Sequence, residues 1–473
     1  MVDCGGLLSR CTGSNLYQGF ESLPLRFAPA PARVVAPRAL PVPMMHRLEI
    51  HPAHRFACTQ CGKCCRDWTI SFSDDEKQDL EKQDWGAHFP ELTGRTLWEP
   101  NPGGRGALKW RMKLGENGAC PFLDPQNRCR IHSKFGGRAK PLVCRAFPIT
   151  FADTPEGTFV GSSFNCPGAV HADGPLVAGD PKDLVTLHQD LHRIAAIPPY
   201  PETVAVGGGN LTWTDVQRIQ VSLQDLLADV SLPLPKRLLA CLRVADILSA
   251  VRMETPAEDR LKQILEIMVP VLRELERAAA LDRPALGFAE RVLFRQLLGM
   301  FYLREYIPYR RLPFAQRLRA TATGYRFLFQ RGTVTATGMP APVALAAVRR
   351  VGGPALEPEV SALWERYLRT KLWGQGIFSH LGFQLSFVHG IGLLGVAYAA
   401  ISWWARASAS ARGAPTAVLE DLERGMQYVD YTFAGMRTIG PYYQIVLQSL
   451  TTPATAARLV RWFGDPTPPE GRA

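Results

Sequence analysis

The chain has 473 residues, 46% of them hydrophobic and 21% charged, an ordinary balance for a soluble globular protein with two or three domains and a sizeable core. A net charge of +11 favours approach to nucleic acid, anionic lipid or an acidic partner, without bearing on the fold. No run of five or more basic residues is present, so a nucleic-acid-binding tail is not indicated and the basicity is read as general composition.

Residues 1–45 read as a poorly ordered leader or a misassigned start. Pro24, Pro29, Pro31, Pro37, Pro41 and Pro43 disfavour both helix and sheet there. Its arginines and few acids allow a transit-like peptide, but it has no apolar run of the secretory type. Translation from Met44 or Met45 is the simpler reading, and Cys4 and Cys11 then carry no function.

Residues 46–175 form a cysteine-rich domain. Trp68–Phe72 alternates like a short strand, and Ser73-Asp-Asp-Glu76 is a capping box that predicts a helix through about Gln83. Pro102, Gly103, Gly104 and Gly106 predict a loop or hairpin over 100–119, and strand-like segments follow at Ile149–Phe151 and Thr158–Val160.

Residues 176–473 read as an all-helical domain. Asp180-Pro181 opens a helix through Ile194. A Pro/Gly-rich linker is expected over 198–209, and Thr212 with Asp215 caps the next helix. Helical spacing of apolar residues predicts helices at 236–251, 256–278 with a kink at Pro270, 286–306, 357–373, 381–405, 416–434 and 441–463. Thr255-Pro-Ala-Glu258 is a further capping box. The uncharged stretch Leu381–Ala405 is long enough to cross a bilayer, but Gln384, His389, Ser402 and several glycines make it a buried central helix.

Chemistry concentrates in the cysteines. Cys58, Cys61, Cys64, Cys65, Cys120, Cys129, Cys144 and Cys166 are candidate metal ligands, eight of the eleven cysteines in the chain. A disulfide framework belongs to small secreted domains without a core, which this long chain is not. Cys58, Cys61 and Cys64 have the two-residue spacing of a ferredoxin run, with a fourth ligand from elsewhere, and Cys166-Pro167 resembles the outlying ligand. Adjacent Cys64 and Cys65 point in different directions, so Cys65 suggests a second site. Spacing alone does not separate zinc from iron–sulfur.

Lys63, Arg66, Arg130, Lys140 and Arg145 are placed to offset thiolate charge or to lie on the surface as ordinary cations. His132 is a candidate mixed ligand, though such residues more often only pack nearby. His188 and His192 sit four apart on one helical face; with no acid or third ligand apparent, they are expected to be a surface or interface pair. The arginines and aromatics between Arg304 and Arg331 are expected to be the polar side of packed helices rather than a base-stacking surface.

The ordered series Cys58-x2-Cys61-x2-Cys64-Cys65, Cys120-Pro-Phe-Leu123, Cys129-x-Ile-His132, Lys140-Pro-x2-Cys144-Arg-x-Phe-Pro148 and Cys166-Pro167 resembles the YkgJ-type cysteine-cluster family. That resemblance implies a zinc- or iron-chelating domain over about residues 56–168. It extends to the flagellin lysine N-methylases, through the cysteine cluster, the Trp68-Thr-Ile70 segment and a helical C-terminal half.

The expected fold is mainly α: a small irregular α+β domain organised by cysteines and metal, followed by an all-α bundle. The expected function is a cytoplasmic protein holding an iron–sulfur cluster, such as 4Fe-4S, or a zinc or iron ion, in a structural or redox role. The alternatives are a cluster-dependent protein-lysine N-methyltransferase acting on a protein substrate, and a zinc-stabilised interaction module. Neither nucleic acid nor membrane is expected as a partner.

Overall fold

The computed structural model describes residues 47–67, 70–102, 104, 106–115, 118–179, 181–194, 203–206, 209–250, 258–306, 314–375, 385–435 and 441–468. A small α+β region precedes a helical body, as the sequence predicts. The first region contains β1 (Leu48–Ile50), α1 (Cys64–Asp67), β2 (Ser71–Phe72), α2 (Asp74–Glu81), α3 (Trp85–His88), β3 (Trp98–Pro100) and β4 (Trp110–Met112). It continues with α4 (Arg130–Phe135), α5 (Leu142–Ala146), β5 (Ile149–Thr154), β6 (Gly157–Ser162) and α6 (Pro167–His171).

Two small sheets order this region. In the first, β6 is central, parallel to β1 and antiparallel to β5, with Leu48 opposite Thr158 and Phe151 opposite Val160. Alternation along β6 sends neighbouring side chains to opposite faces. Phe159 joins the core of the helical body, while Val160 packs with Phe151 and Leu184 on the other side. The second sheet pairs β4 with both β2 and β3, so the predicted hairpin across 100–119 is present. It closes over a separate core of Ile70, Phe72, Leu80, Trp85, Phe122 and Ile131, against which Cys65, Cys129 and Cys144 pack.

The predicted capping box forms. Ser73 Oγ accepts the Glu76 amide at 3.2 Å and Glu76 Oε2 accepts the Ser73 amide at 3.0 Å, satisfying two otherwise free donors at the start of α2.

The helical body begins with α7 (Pro181–Ile194) and the hairpin of β7 (Thr203–Val206) with β8 (Gly209–Thr212). Then come α8 (Trp213–Ala228), α9 (Leu234–Ala250), α10 (Glu258–Ala278), α11 (Phe288–Tyr306), α12 (Phe314–Phe329) and the short pair β9 (Thr333–Val334) and β10 (Val343–Ala344). It ends with α13 (Pro358–Trp373), α14 (Phe387–Ala411), α15 (Leu419–Gly435), α16 (Pro441–Leu450) and α17 (Pro453–Gly464). The axis of the body is α14, which packs against α9, α15 and α17. It is long and apolar enough to cross a membrane, but 94% of its most apolar window is buried in the protein, as a central core helix should be.

The structure corrects several expectations. The 198–209 linker becomes, in its described part, the start of the β7–β8 hairpin, whose Val204, Val206 and Leu211 enter the large core. One helix expected over 441–463 is two, because Pro453 starts a new helix behind the Thr452 cap. The strand expected from Trp68 is described only from Ser71, after the unforeseen turn of helix α1. The arginine and aromatic stretch read as part of packed helices contains α12, whose bounds the sequence did not place. The helix α14 extends past Arg406, which is 1% exposed and lies over the Phe463 ring at 5.3 Å. The Thr255 capping box, Asp180 and the stretch 381–384 lie outside the described residues.

Candidate metal centre

The loop that carries the first cysteines is shaped by backbone. Gln60 and Gly62 both take left-handed φ values, 53° and 70°, which fold Cys58–Lys63 tightly before α1 begins. A Cβ on Gly62 would also lie 2.6 Å from an Arg66 guanidinium nitrogen. Arg66 reaches across to Asn127 at 2.7 Å, and Lys63 donates to Gln427 on α15 at 2.9 Å, so the loop is held to both the Cys129 turn and the helical body.

Close backbone contact brings the far end of the motif series to this loop. A Cβ on Gly168 would fall 2.2 Å from the Ala57 carbonyl oxygen, and one on Gly174 would fall 2.2 Å from the Phe56 carbonyl carbon. Only glycine lets the Phe56–Ala57 backbone lie this near to α6. The Phe56 amide donates to Pro175 O at 3.2 Å along the same seam. This contact carries Cys58 and Cys61 into electrostatic reach of Cys166. Burial pushes the Cys166 thiol up to about 11, against the backbone N–H groups of Ala169 and Gly168, and the charges of Cys61 and Cys58 push the same way as burial. Cys58 and Cys61 are exposed, so this group opens at the surface.

The other five thiols gather under the β2–β4–β3 sheet. Cys64 and Cys65 sulfurs are 4.0 Å apart. The Cys120 amide donates to Cys65 O at 2.7 Å, and Cys129 stands at the start of α4 after a tight turn in which Asp124 accepts the Gln126 and Arg128 amides. Cys144 lies within α5, whose first amide, on Leu142, donates to Glu76 Oε1 at 2.6 Å. The contact with Cys64 raises the Cys65 thiol far above its ordinary value, with burial and the charges of Cys120 and Cys129 adding to it. Burial pushes Cys120 up to about 12, and burial with the charge of Cys120 likewise pushes Cys144 well up. Crowded, buried thiols of this kind ionise only beside a concentrated positive charge, which is what a thiolate-bound metal supplies.

The arrangement differs from a simple ferredoxin run. The charge of Cys64 acts on Cys65, Cys120 and Cys144, while those of Cys58 and Cys61 act on Cys166. Of the five flanking cations, Lys140 acts on a thiol, favouring ionised Cys144. Arg130 instead pairs with Glu91 and covers the Phe89 ring, and Arg145 pairs with Asp190 at 3.1 Å. His132 is exposed on α4.

His188 and His192 are not a surface pair. The acid that the sequence did not supply nearby is Asp153 on β5, whose two oxygens meet the two Nε2 atoms at 2.7 and 2.6 Å. Only the periodicity of α7 signalled them; the pairing with β5 depends on tertiary packing. Among the described residues, these three are the one set of His, Cys, Asp or Glu donors lying within 4.8 Å of one another. Cys241, far from both groups in sequence, is buried in α9 and donates to Leu223 O at 3.7 Å.

Residues 57–166 match the family model described as "CxxCxxCC: Putative zinc- or iron-chelating domain". An uncharacterized protein of Methanocaldococcus jannaschii is 29% identical over 105 residues, covering 22% of this chain and 32% of that protein. The match thus spans about a third of that relative's length. No solved structure matches the chain. The matched segment bears both thiol groups, and the family model describes it as a "Putative zinc- or iron-chelating domain".

Proposed function

We propose that residues 57–166 hold iron–sulfur chemistry, with Cys64, Cys65, Cys120, Cys129 and Cys144 as a structural centre and Cys166 with the exposed Cys58 and Cys61 as the reactive one. The observation that carries this reading is the spread of the thiols. A single tetrahedral zinc ion requires all four sulfurs about 3.8 Å apart, from Zn–S bonds of about 2.3 Å. Cys64 and Cys65 approach that spacing, yet no three sulfurs lie within 4.8 Å of one another among the described residues. Five thiols linked through the charges of Cys64, Cys120 and Cys129 but more widely spaced suit a polynuclear centre, in which different irons take different cysteines.

When bound, such a cluster supplies positive charge to offset the buried thiolates and a site for electron storage. The residues of the chain do the rest. Cys64, Cys65, Cys120, Cys129 and Cys144 supply more ligands than one centre needs, and the aromatic core around Trp85 and Phe122 keeps water away. Cys58, Cys61 and Cys166 supply three ligands, one fewer than a tetrahedral centre takes; Cys166 is buried, while Cys58 and Cys61 are exposed where a partner protein or small ligand can reach them. The lysine N-methyltransferase alternative rests on sequence resemblance alone.

Iron, zinc and acid-labile sulfide analysis of anaerobically purified protein tests the reading, with Cys64→Ser and Cys58→Ser beside the wild type. Sulfide equal to iron, lost in larger part from Cys64→Ser, supports it. Colourless protein with stoichiometric zinc and no sulfide replaces it with a zinc site.

A further inference from the structure

The Asp153, His188 and His192 cluster lies outside the cysteine series and plays no part in the reading above. Its Nε2 atoms are 2.7 and 2.6 Å from the two carboxylate oxygens and 3.1 Å from each other. An imidazole nitrogen carries either a proton or a lone pair. If both Nε2 atoms carry protons, both carboxylate contacts are satisfied, but two N–H groups press together at 3.1 Å. If one lacks its proton, its lone pair faces an anionic oxygen at hydrogen-bond distance. With the carboxylate ionised, no assignment of protons on the two imidazoles makes all three contacts attractive. A divalent cation bound by the two Nε2 atoms and the carboxylate does.

We infer that Asp153, His188 and His192 bind a divalent first-row transition ion, ferrous iron or zinc, at a nitrogen/oxygen site distinct from the thiolates. Neighbouring ligands of an octahedral ion with bonds of about 2.1 Å are about 3.0 Å apart, against about 3.4 Å for a tetrahedral one. The Nε2–Nε2 separation of 3.1 Å is nearer the octahedral value, and each nitrogen lies 2.6 or 2.7 Å from its own carboxylate oxygen, also nearer the octahedral than the tetrahedral spacing. Two imidazoles and one carboxylate on one face leave coordination positions open, a set suited to ferrous iron. Thr158 Oγ donates to Asp153 Oδ1 at 2.7 Å and fixes the carboxylate that both histidines address. The i, i+4 spacing on α7 places both rings on one side of the helix. Access runs past His192, whose side chain is 24% exposed, against 11% for His188 and 10% for Asp153. The ring of Phe151, centred 5.2 Å from that of His188, walls the inner side.

The test loads full-length protein with Zn2+ in one arm and with Fe2+ under anaerobic conditions in the other. Metal per chain is then counted for the wild type, His192→Gln and Asp153→Asn. Acid-labile sulfide and visible absorption report the cysteine centre separately. The expected result is the loss of one ion per chain in both variants, in the arm whose metal the site takes, with sulfide and absorption unchanged. Because Asp153 is buried, Asp153→Asn can fail to fold; His192→Gln, at a partly exposed position, then decides alone. Equal metal content in wild type and His192→Gln in both arms overturns the proposal and leaves the triad as a hydrogen-bonded cluster. The readout does not depend on whether the thiols hold iron–sulfur or zinc.

Discussion

Asp430 Oδ2 accepts the backbone N–H of Phe164 at 2.6 Å, joining α15 to the loop after β6 across 266 residues of sequence. The same carboxylate accepts Ser163 Oγ at 2.9 Å and pairs with Lys371 Nζ at 2.5 Å, and Asp430 is 2% exposed. Cys166 follows Phe164 by two residues, so the helical body positions one wall of the surface thiol group.

Asp430→Ala should therefore do more than remove one ion pair. It leaves the Lys371 ammonium without its counter-charge and the Phe164 amide without its acceptor, and losing one partner of a buried pair costs about 3–5 kcal/mol. Urea unfolding should show a loss of that order. On the proposed assignment, metal at Cys58, Cys61 and Cys166 should fall before that at Cys64, Cys65, Cys120, Cys129 and Cys144. Retention of full stability would mean that the loop is held by other contacts.

Gly168→Ala tests the backbone seam. The added methyl would lie 2.2 Å from the Ala57 carbonyl oxygen, which is backbone and cannot swing aside as a side chain would. The Phe56–Ala57 segment must move, taking Cys58 with it. The expected outcome is about 1–3 kcal/mol of destabilisation, as for other overpacked sites, with weakened metal retention at the surface group. Thiol-reactive labelling of Cys58 and Cys61 in the metal-loaded protein should speed up. Unchanged labelling and stability would show that the seam does not position the loop.

Glu76 links two elements with one carboxylate. Oε2 completes the capping box of α2 through the Ser73 amide, and Oε1 accepts the Leu142 amide at the start of α5, two residues before Cys144. Loss of a cap alone costs about 1–2 kcal/mol. Glu76→Ala should exceed the effect of Ser73→Ala, because only Glu76 also holds α5. Paired thermal or urea melts of the two variants check this; equal losses would assign Glu76 to the cap alone.

The capping box at Ser73 and the hairpin after residue 100 were legible because each depends on a few neighbouring residues. The helices of the body were legible because apolar residues repeat at their period, except α12, where Arg319, Tyr325 and Arg326 obscure it. Clustering of the eight cysteines in one segment was equally plain. Their division was not, because it depends on the turn at Gln60 and Gly62 and on the approach of Gly168 to Ala57. Asp153 belongs to the same class of hidden partner: a strand residue 35 positions before His188 reveals its role only after β5 packs on α7. Local chemistry is written in spacing, whereas convergence of distant groups is written in packing.

Acid should weaken the fold through His51 and His54, both held neutral inside the protein. Burial lowers each to about 4, helped by the Arg369 charge at His51 and by His51 itself at His54. His54 Nε2 meets Ser162 Oγ at 2.6 Å, while its Nδ1 is buried without a hydrogen-bond partner, so protonation would bury an unpaired N–H. An unfolded histidine titrates near 6.5. Between about 4 and 6.5 the unfolded chain therefore binds more protons than the folded one, and stability declines as pH falls through that window. Above it both states are neutral and the full stability is present; below it both are protonated and no further loss arises from these groups. The loss is at most about 3 kcal/mol per histidine. Urea midpoints measured from pH 7.5 to 4 should show a shallower decline in a His51→Gln, His54→Gln double variant than in the wild type. The comparison cancels acid effects common to the two proteins. Parallel pH profiles for the two proteins would refute the assignment of this decline to the buried histidines.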